Sequence, residues 1–285
     1  MKPQTRGKMH ERMTLERSAT WTLLGRGKSS EVLRIADGKV IKIFHSAVSE
    51  EMIQREIAAA RIAADLHIPT AAPRRRVSIG GEPALLYPEI VGDSLAVAIR
   101  RKPLSAAMLL ERMAALQRDI HRHEAAGLRA VKSVLATDID YGPAPAALKK
   151  AAIAHLETLP DSGHLLHGDF HINNIIIRDD GLVILDWAKA AIGDPAADVV
   201  RSEMLMRFGE GPADPVTSLW RDWAASRLLR AYQAKNGPTS HQLPQWRAVV
   251  ALAWLRARPS VRDRAFRRYL NKALKGVGLP ALTPD

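Results

Sequence analysis

Cysteine is absent from the 285-residue chain. Disulfides and thiolate metal sites are thereby excluded. Long apolar runs are missing too. Nothing approaches the roughly 18 residues a membrane helix needs, and the uncharged apolar stretches are as short as Ile175-Ile176-Ile177. The opening MKPQTRGKMHERMTLER is charged throughout and carries no apolar signal core. The expectation is a soluble, cytoplasmic protein without membrane contact. No internal repeat and no low-complexity tract stands out. What the chain has in quantity is hydrophobic residues, at 47% enough for a sizeable core, and basic charge, a formal net +12. Such an excess suits nucleic acid, an anionic surface or an anionic ligand. Here the charges are mixed into helical periodicity and form no detached tail, which favours a solvated basic surface. No zinc signature or aromatic RNP-like strand is present, so nucleic acid is not an expected partner. Oligomeric state stays open.

The chain changes character twice. After a basic lead-in, Trp21 to Phe44 gives short β-prone runs broken by glycine, with Asp37-Gly38 as a hairpin signal. From Ser49 to Leu66 the pattern is helical, with Ser49 and the acidic residues after it suiting an N-terminus. Met52, Ile53, Ile57, Ala60 and Ala64 fall near one face of that helix. Pro69 and Pro73 end it, and a second β-like stretch turns at Gly80-Gly81. Beyond Gly92 two helical runs follow, the second extending to a stop at Gly127. A loop with Pro143 and Pro145 leads to a helix from Pro145 to about Leu159. A compact β segment, LLHGDFHINNIIIRDDGLVILDW, comes next. The remainder reads as helices joined at Gly211-Pro212, Gly237-Pro238 and Pro259.

Chemistry is densest in that compact segment. IIIRDDGLVIL has the pattern of a hairpin turning at Asp-Gly. Such a hairpin carries Asn174 and Asp186 to neighbouring positions at one end, with Asp169 on the loop just before. Phosphoryl transfer needs this convergence. A carboxylate must orient the acceptor hydroxyl and take its proton, and hard oxygen ligands must hold Mg²⁺ against the phosphates. Asp169 suits the first role; Asn174 and Asp186 suit the second. The spacing of Asp169 and Asn174 equals the Asp-x-x-x-x-Asn of protein-kinase catalytic loops, with Gly168 where those place arginine.

HGDxxxxN followed by a strand ending in Ile-Leu-Asp-Trp resembles the aminoglycoside phosphotransferase and choline kinase superfamily. Gly193-Asp194-Pro195-Ala196-Ala197-Asp198 resembles that superfamily's G-D-P-x-x-D segment. The resemblance covers about residues 21–200. It implies an α+β, protein-kinase-like fold of two lobes, a small β-rich one over residues 19–90 and a larger, mostly helical one over 91–285, behind an extension of residues 1–18. It implies Asp169 as catalytic base, Asn174 and Asp186 as metal ligands, Asp198 as a buried structural carboxylate and His171 as a loop organiser. The turn Gly25-Arg26-Gly27-Lys28-Ser29-Ser30 stands where kinases cover the phosphates, with Ser30 at their third glycine. Gly25, Gly27, Ser29 and Ser30 are its candidate nucleotide contacts. Gly27-Lys28-Ser29 also mimics the end of a P-loop, but Thr22 occupies the required first glycine and a strand-like run follows. Lys42, flanked by apolar residues, matches the lysine that holds the α- and β-phosphates, and Glu56 is its expected carboxylate partner. The inter-lobe link Tyr87-Pro88-Glu89-Ile90 would meet the nucleobase. Glu89 and Ile90 are the candidates there, Ile90 the better donor because Pro88 has no N–H.

The expected activity is Mg²⁺-dependent transfer of a phosphoryl group from ATP or GTP to a hydroxyl of a small molecule. Protein kinases and catalytically silent, regulatory kinase-like proteins are the alternatives. The acceptor stays open. From Val216 to Lys275 thirteen basic residues face two acidic ones, Asp222 and Asp263, a poor match to a polycation. Asp194, Asp198, Glu203, Glu210 and Asp214 are the residues that could build an acidic wall instead. Trp220, Trp223, Trp246 and Trp254 are either core anchors or an aromatic cage for a quaternary ammonium.

Overall fold

The computed structural model describes residues 14–27, 29–35, 38–234, 242–257 and 262–282. The Asp37 half of the first hairpin signal, Lys28, Gly237-Pro238 and Pro259 lie outside them, as does most of the basic lead-in.

Period-two alternation builds the first region. A six-stranded sheet forms from β1 (Thr14–Leu15), β2 (Thr22–Arg26), β3 (Ser30–Ile35), β4 (Lys39–Phe44), β5 (Arg75–Ile79) and β6 (Glu82–Pro88), in the order β1-β5-β6-β4-β3-β2. All its pairings are antiparallel except β1 with β5. On β4 the side chains of Ile41 and Ile43 share one face, where they pack with Leu33, Val77 and Ala84. Lys42 and Phe44 take the other, which α1 (Glu50–Asp65) covers through Ile53 and Ile57. Ser49 caps α1, its hydroxyl accepting from the Met52 amide at 3.3 Å. The buried face of α1 is Ile53, Glu56, Ile57, Ala59, Ala60 and Ala63. Met52 and Ala64, expected on it, are exposed, because the helix presents Glu56 to the sheet and that choice rotates the stripe.

The chain leaves the sheet through Gly92, whose φ of 154° and close approach to Ile177 exclude a side chain; a Cβ there would sit 2.1 Å from the Ile177 carbonyl oxygen. Helices then dominate: α2 (Leu95–Arg101), α3 (Ala106–Ile120), α4 (Val131–Asp140), α5 (Ala146–Thr158), α6 (Pro195–Phe208), α7 (Pro215–Gln233), α8 (Leu243–Ala257) and α9 (Asp263–Gly276). The two-lobed, kinase-like α+β architecture expected from the sequence is present. Trp187, Trp246, Phe170 and Phe266 are fully buried in the large core of this region. Among the described residues no helix is long and apolar enough to cross a membrane.

Two helices also differ from expectation. Helix α3 stops at Ile120, not at Gly127: the amides of Arg122 and His123 bond back only three residues, tightening the last turn, and His121 is drawn into the core by Tyr232 and Asp198. Helix α4 was not expected at all. Its sequence, VKSVLATDID, is rich in β-branched and helix-indifferent residues, and packing on α8 and α5 sets its state.

Three short pairings frame the catalytic segment. β8 (Leu165–Leu166) pairs with β11 (Ala191–Ile192), and β9 (Ile175–Arg178) pairs with β10 (Gly181–Ile184) and with β7 (Asp93–Ser94). The β9–β10 turn is Asp179-Asp180, one residue earlier than the Asp-Gly reading, since Arg178 stands opposite Gly181.

Candidate active site

His167 closes β8 and is fully buried. Its Nδ1 accepts the Asp169 amide at 3.1 Å, so the proton sits on Nε2, which donates to the Leu185 carbonyl at 3.1 Å. Burial holds its pKa below the ordinary value, and the ring stays neutral between Phe170 and Trp187. Gly168 follows with φ 75°, and a Cβ there would lie 2.1 Å from the Lys189 carbonyl oxygen. Its amide donates to Asp198 Oδ1 at 2.7 Å. Asp198 is buried, accepts Gln117 and His121 on its other oxygen, and has its pKa pulled to about 2. Desolvation opposes that shift; the side-chain hydrogen bonds from His121 and Gln117 outweigh it. Asp198 is thus tied entirely to backbone and core partners, in line with a structural role.

Asp169 emerges from this frame. Burial alone would raise its carboxyl, but Lys189, Arg201 and His171 outweigh burial and hold it below the usual range. Lys189 Nζ reaches Oδ2 at 2.9 Å. The other oxygen, Oδ1, is buried and has no hydrogen-bond partner. Lys189 was not foreseen; a lysine three residues past Asp186 gives no signal until the fold returns it to the loop. Asn174 donates its amide N–H to the Asp169 main-chain carbonyl at 3.0 Å, which fixes the side chain and leaves the lone pairs of Oδ1 for a cation. His171 Nδ1 accepts the Asn173 amide at 3.3 Å, as a loop organiser would.

The hairpin brings Asp186 beside Asn174: the Leu185 amide donates to the Asn174 carbonyl at 2.8 Å. Asp186 holds φ 63°, a left-handed geometry unusual outside glycine. Its side chain is 40% open to solvent. Lys42 Nζ bridges Glu56 at 2.7 and 2.8 Å and Asp186 at 3.2 Å. Desolvation would lower the lysine pKa, and the two carboxylates reverse that and raise it. Asp186 is lowered: burial acts against ionisation and Lys42 more than offsets it. Tyr87, expected only as part of the link, donates its hydroxyl to Glu56 at 2.7 Å and steadies the pair. A carboxylate and an amide oxygen are hard donors that suit Mg²⁺. Among the described residues no group of three or more His, Asp or Glu could cage a metal, so a cation here would take most of its shell from phosphates and water.

The other nucleotide candidates stand as follows. Gly25 lies within β2 opposite Val32, Gly27 lies on the β2–β3 turn, and the Gly27 amide donates to the Ser30 carbonyl at 2.8 Å. Ser29 is exposed at that turn, whereas Ser30 is buried at the start of β3. The Glu89 amide is engaged by the Gly38 carbonyl at 2.8 Å and its carboxylate by Arg34.

A cavity of about 770 Å³ opens beside Asp169, between the catalytic loop, α2, α6, α7 and α8. Ile99, Ile172, Leu205, Trp220 and Trp254 give it apolar walls. The acidic wall is not there. Asp194 is buried as the α6 cap, Asp198 and Glu203 are buried in the core, and Asp214 caps α7; Glu210 alone of the five lines the cavity. Nor do the four tryptophans form a cage: Trp246 is core, Trp223 is exposed, and Trp254 carries the Arg201 guanidinium 5.5 Å from its ring centroid.

A lysine held by a helix carboxylate, an Asp and an Asn at the end of a hairpin, and a cavity beside a half-buried Asp define a kinase-type phosphotransferase. The model of the phosphotransferase enzyme family known as APH matches residues 20–249, and the chain belongs to that family of small-molecule kinases. Among curated proteins no sequence matches this chain. Solved structures share the fold. Amicoumacin kinase hAmiN, in complex with AMP-PNP, Ca²⁺ and Ami, superimposes with a TM-score of 0.63 at 15% identity, covering 96% of this chain and 92% of its own. A choline/ethanolamine kinase family protein from Mesorhizobium loti gives 0.57 at 18%, covering 91% and 88%. The gentamicin complex of APH(2")-IIa gives 0.57 at 17%, covering 92% of each.

Proposed function

We propose that the protein transfers the γ-phosphoryl group of ATP or GTP to a hydroxyl of a small molecule held in the 770 Å³ cavity. The observation that carries this is Asp169 Oδ1, a buried carboxylate oxygen without a partner on a residue that lines the cavity. An acceptor hydroxyl donates to that oxygen and gives it its proton as the acceptor oxygen bonds to the γ-phosphorus. The bond from phosphorus to the bridging oxygen breaks, and nucleoside diphosphate leaves. Lys189 keeps the other oxygen ionised and fixed. Lys42, clamped by Glu56, orients the α- and β-phosphates. Gly25, Gly27, Ser29 and Ser30 cover the phosphates, and Glu89 and Ile90 meet the base. Asn174 and Asp186 would hold Mg²⁺, which supplies charge neutralisation at the phosphates. On this reading residues 19–90 form the nucleotide lobe and residues 91–285 the catalytic and acceptor lobe. A nucleoside triphosphate donor implies the cytoplasm as its compartment.

The test is nucleotide consumption against a panel of aminoglycosides, amino alcohols, sugars, nucleosides and hydroxy acids. Asp169→Asn is expected to lower turnover about 10²- to 10⁴-fold while nucleotide affinity, read by titration calorimetry, stays within a few fold. Near-normal turnover in that variant would remove Asp169 from the role of base.

A further inference from the structure

Resting on that reading, we propose that the acceptor carries an oxyanion, a carboxylate or a phosphate, on an apolar body, and that Arg221 and Trp254 read it. Arg221 is 7% exposed on α7 and lines the cavity. Its Nε donates to the Met206 carbonyl, and its Nη2 donates to the carbonyls of Gly209 and Glu210. Its Nη1 is buried and has no partner. That nitrogen lies against the cavity wall, for a Cβ on Gly211, another lining residue, would meet it at 3.5 Å. Trp254, 5% exposed and also lining the cavity, has an indole N–H with no partner. Two buried donors without acceptors are costly unless a ligand satisfies them.

The charges agree. Arg100, Lys189, Arg201 and Arg221 line the cavity against Asp169 and Glu210. Asp169 is already balanced by Lys189 at 2.9 Å, so the remaining field is positive. A polycation would meet guanidinium groups there. A quaternary ammonium would have to displace Arg201 from the Trp254 ring, which that guanidinium already faces at 5.5 Å. A charged oxygen group on the ligand, by contrast, completes Arg221 with a charge-assisted bond. The apolar walls then hold the body of the molecule and Asp169 takes the hydroxyl.

Equilibrium binding to the intact, nucleotide-free protein tests this with four compounds sharing one skeleton. They are 4'-(hydroxymethyl)biphenyl bearing at the far ring position a carboxylate, a phosphate, a carboxamide or an aminomethyl group. The carboxylate or the phosphate is expected to bind at least about tenfold tighter than the amine, and the better of the two identifies the oxyanion. Arg221→Gln and Trp254→Phe are each expected to shrink that ratio at least about threefold. Trp254→Phe removes the five-membered ring with its N–H and keeps one aromatic ring, so it stands if Arg221→Gln fails to fold by circular dichroism. An amine that binds as tightly as the acids, no binding by any of the four, or a ratio unchanged in the folded variants would overturn the proposal. Binding of the acids without nucleotide consumption supports the charge class and counts against phosphoryl transfer.

Discussion

Asp186 is set by Lys42 and by its own backbone. Lys42 at 3.2 Å keeps it ionised, and its backbone φ of 63° aims it into the cleft beside Asn174. In the proposed site its carboxylate is the principal protein charge on the cation. Asp186→Ala is therefore expected to weaken binding of the Mg²⁺-nucleotide about tenfold or more, while nucleotide without metal loses much less; calorimetry with and without Mg²⁺ reads the difference. At this scale the sequence was informative where spacing is short. Asn174 and Asp186 flank one hairpin with Asp169 on the loop just before it, so local spacing brings the three together, and the Lys42–Glu56 pair follows from a strand and the next helix. Lys189, Arg221 and Tyr87 could not, because each acquires its partner through turns and helix packing that no local pattern encodes.

The catalytic loop is held as an element by atoms around Gly168. Its amide is bound by Asp198, its carbonyl accepts from Arg201, and its Cα faces the Lys189 carbonyl. A methyl group at 2.1 Å from that oxygen, on a residue at φ 75°, has nowhere to go. Gly168→Ala is expected to displace the loop, lowering the melting temperature by several degrees, as about 1–3 kcal/mol of strain implies, and cutting turnover by more than tenfold. Scanning calorimetry and a nucleotide-consumption assay check the two effects. Elements with strong local signals were legible: Ser49 marks the start of α1, and the Gly80-Gly81 turn joins β5 to β6. The end of α3 and the whole of α4 were not, since a buried histidine network decides one and tertiary packing the other.

For the molecule as a whole, pH acts through groups that no solvent reaches. His167 is buried and neutral, with a pKa below the free value of 6.5. The unfolded chain therefore takes up its proton first as pH falls, so the histidine's stabilisation is complete above 6.5 and declines below it. Asp198, depressed to about 2, adds a second loss that begins below 3.8, where the unfolded carboxyl protonates. Urea unfolding between pH 8 and pH 3 is expected to show stability falling in two stages, and His167→Gln should flatten the upper one. The two lobes, for their part, are stitched at different depths. Behind α1, Thr70 donates its hydroxyl to the Ile184 carbonyl at 2.9 Å and receives the Trp187 indole at 2.7 Å, with the Pro69 carbonyl taking the Ile184 amide. At the cleft Lys42 meets Asp186 across the lobes. A rotation that widens the mouth gives up one half-solvated ion pair and leaves the Thr70 stitches whole; a slide of one lobe along the other must tear three hydrogen bonds at once. The cleft therefore has one compliant direction, that of a jaw pivoting at Thr70, and a stiff one across it.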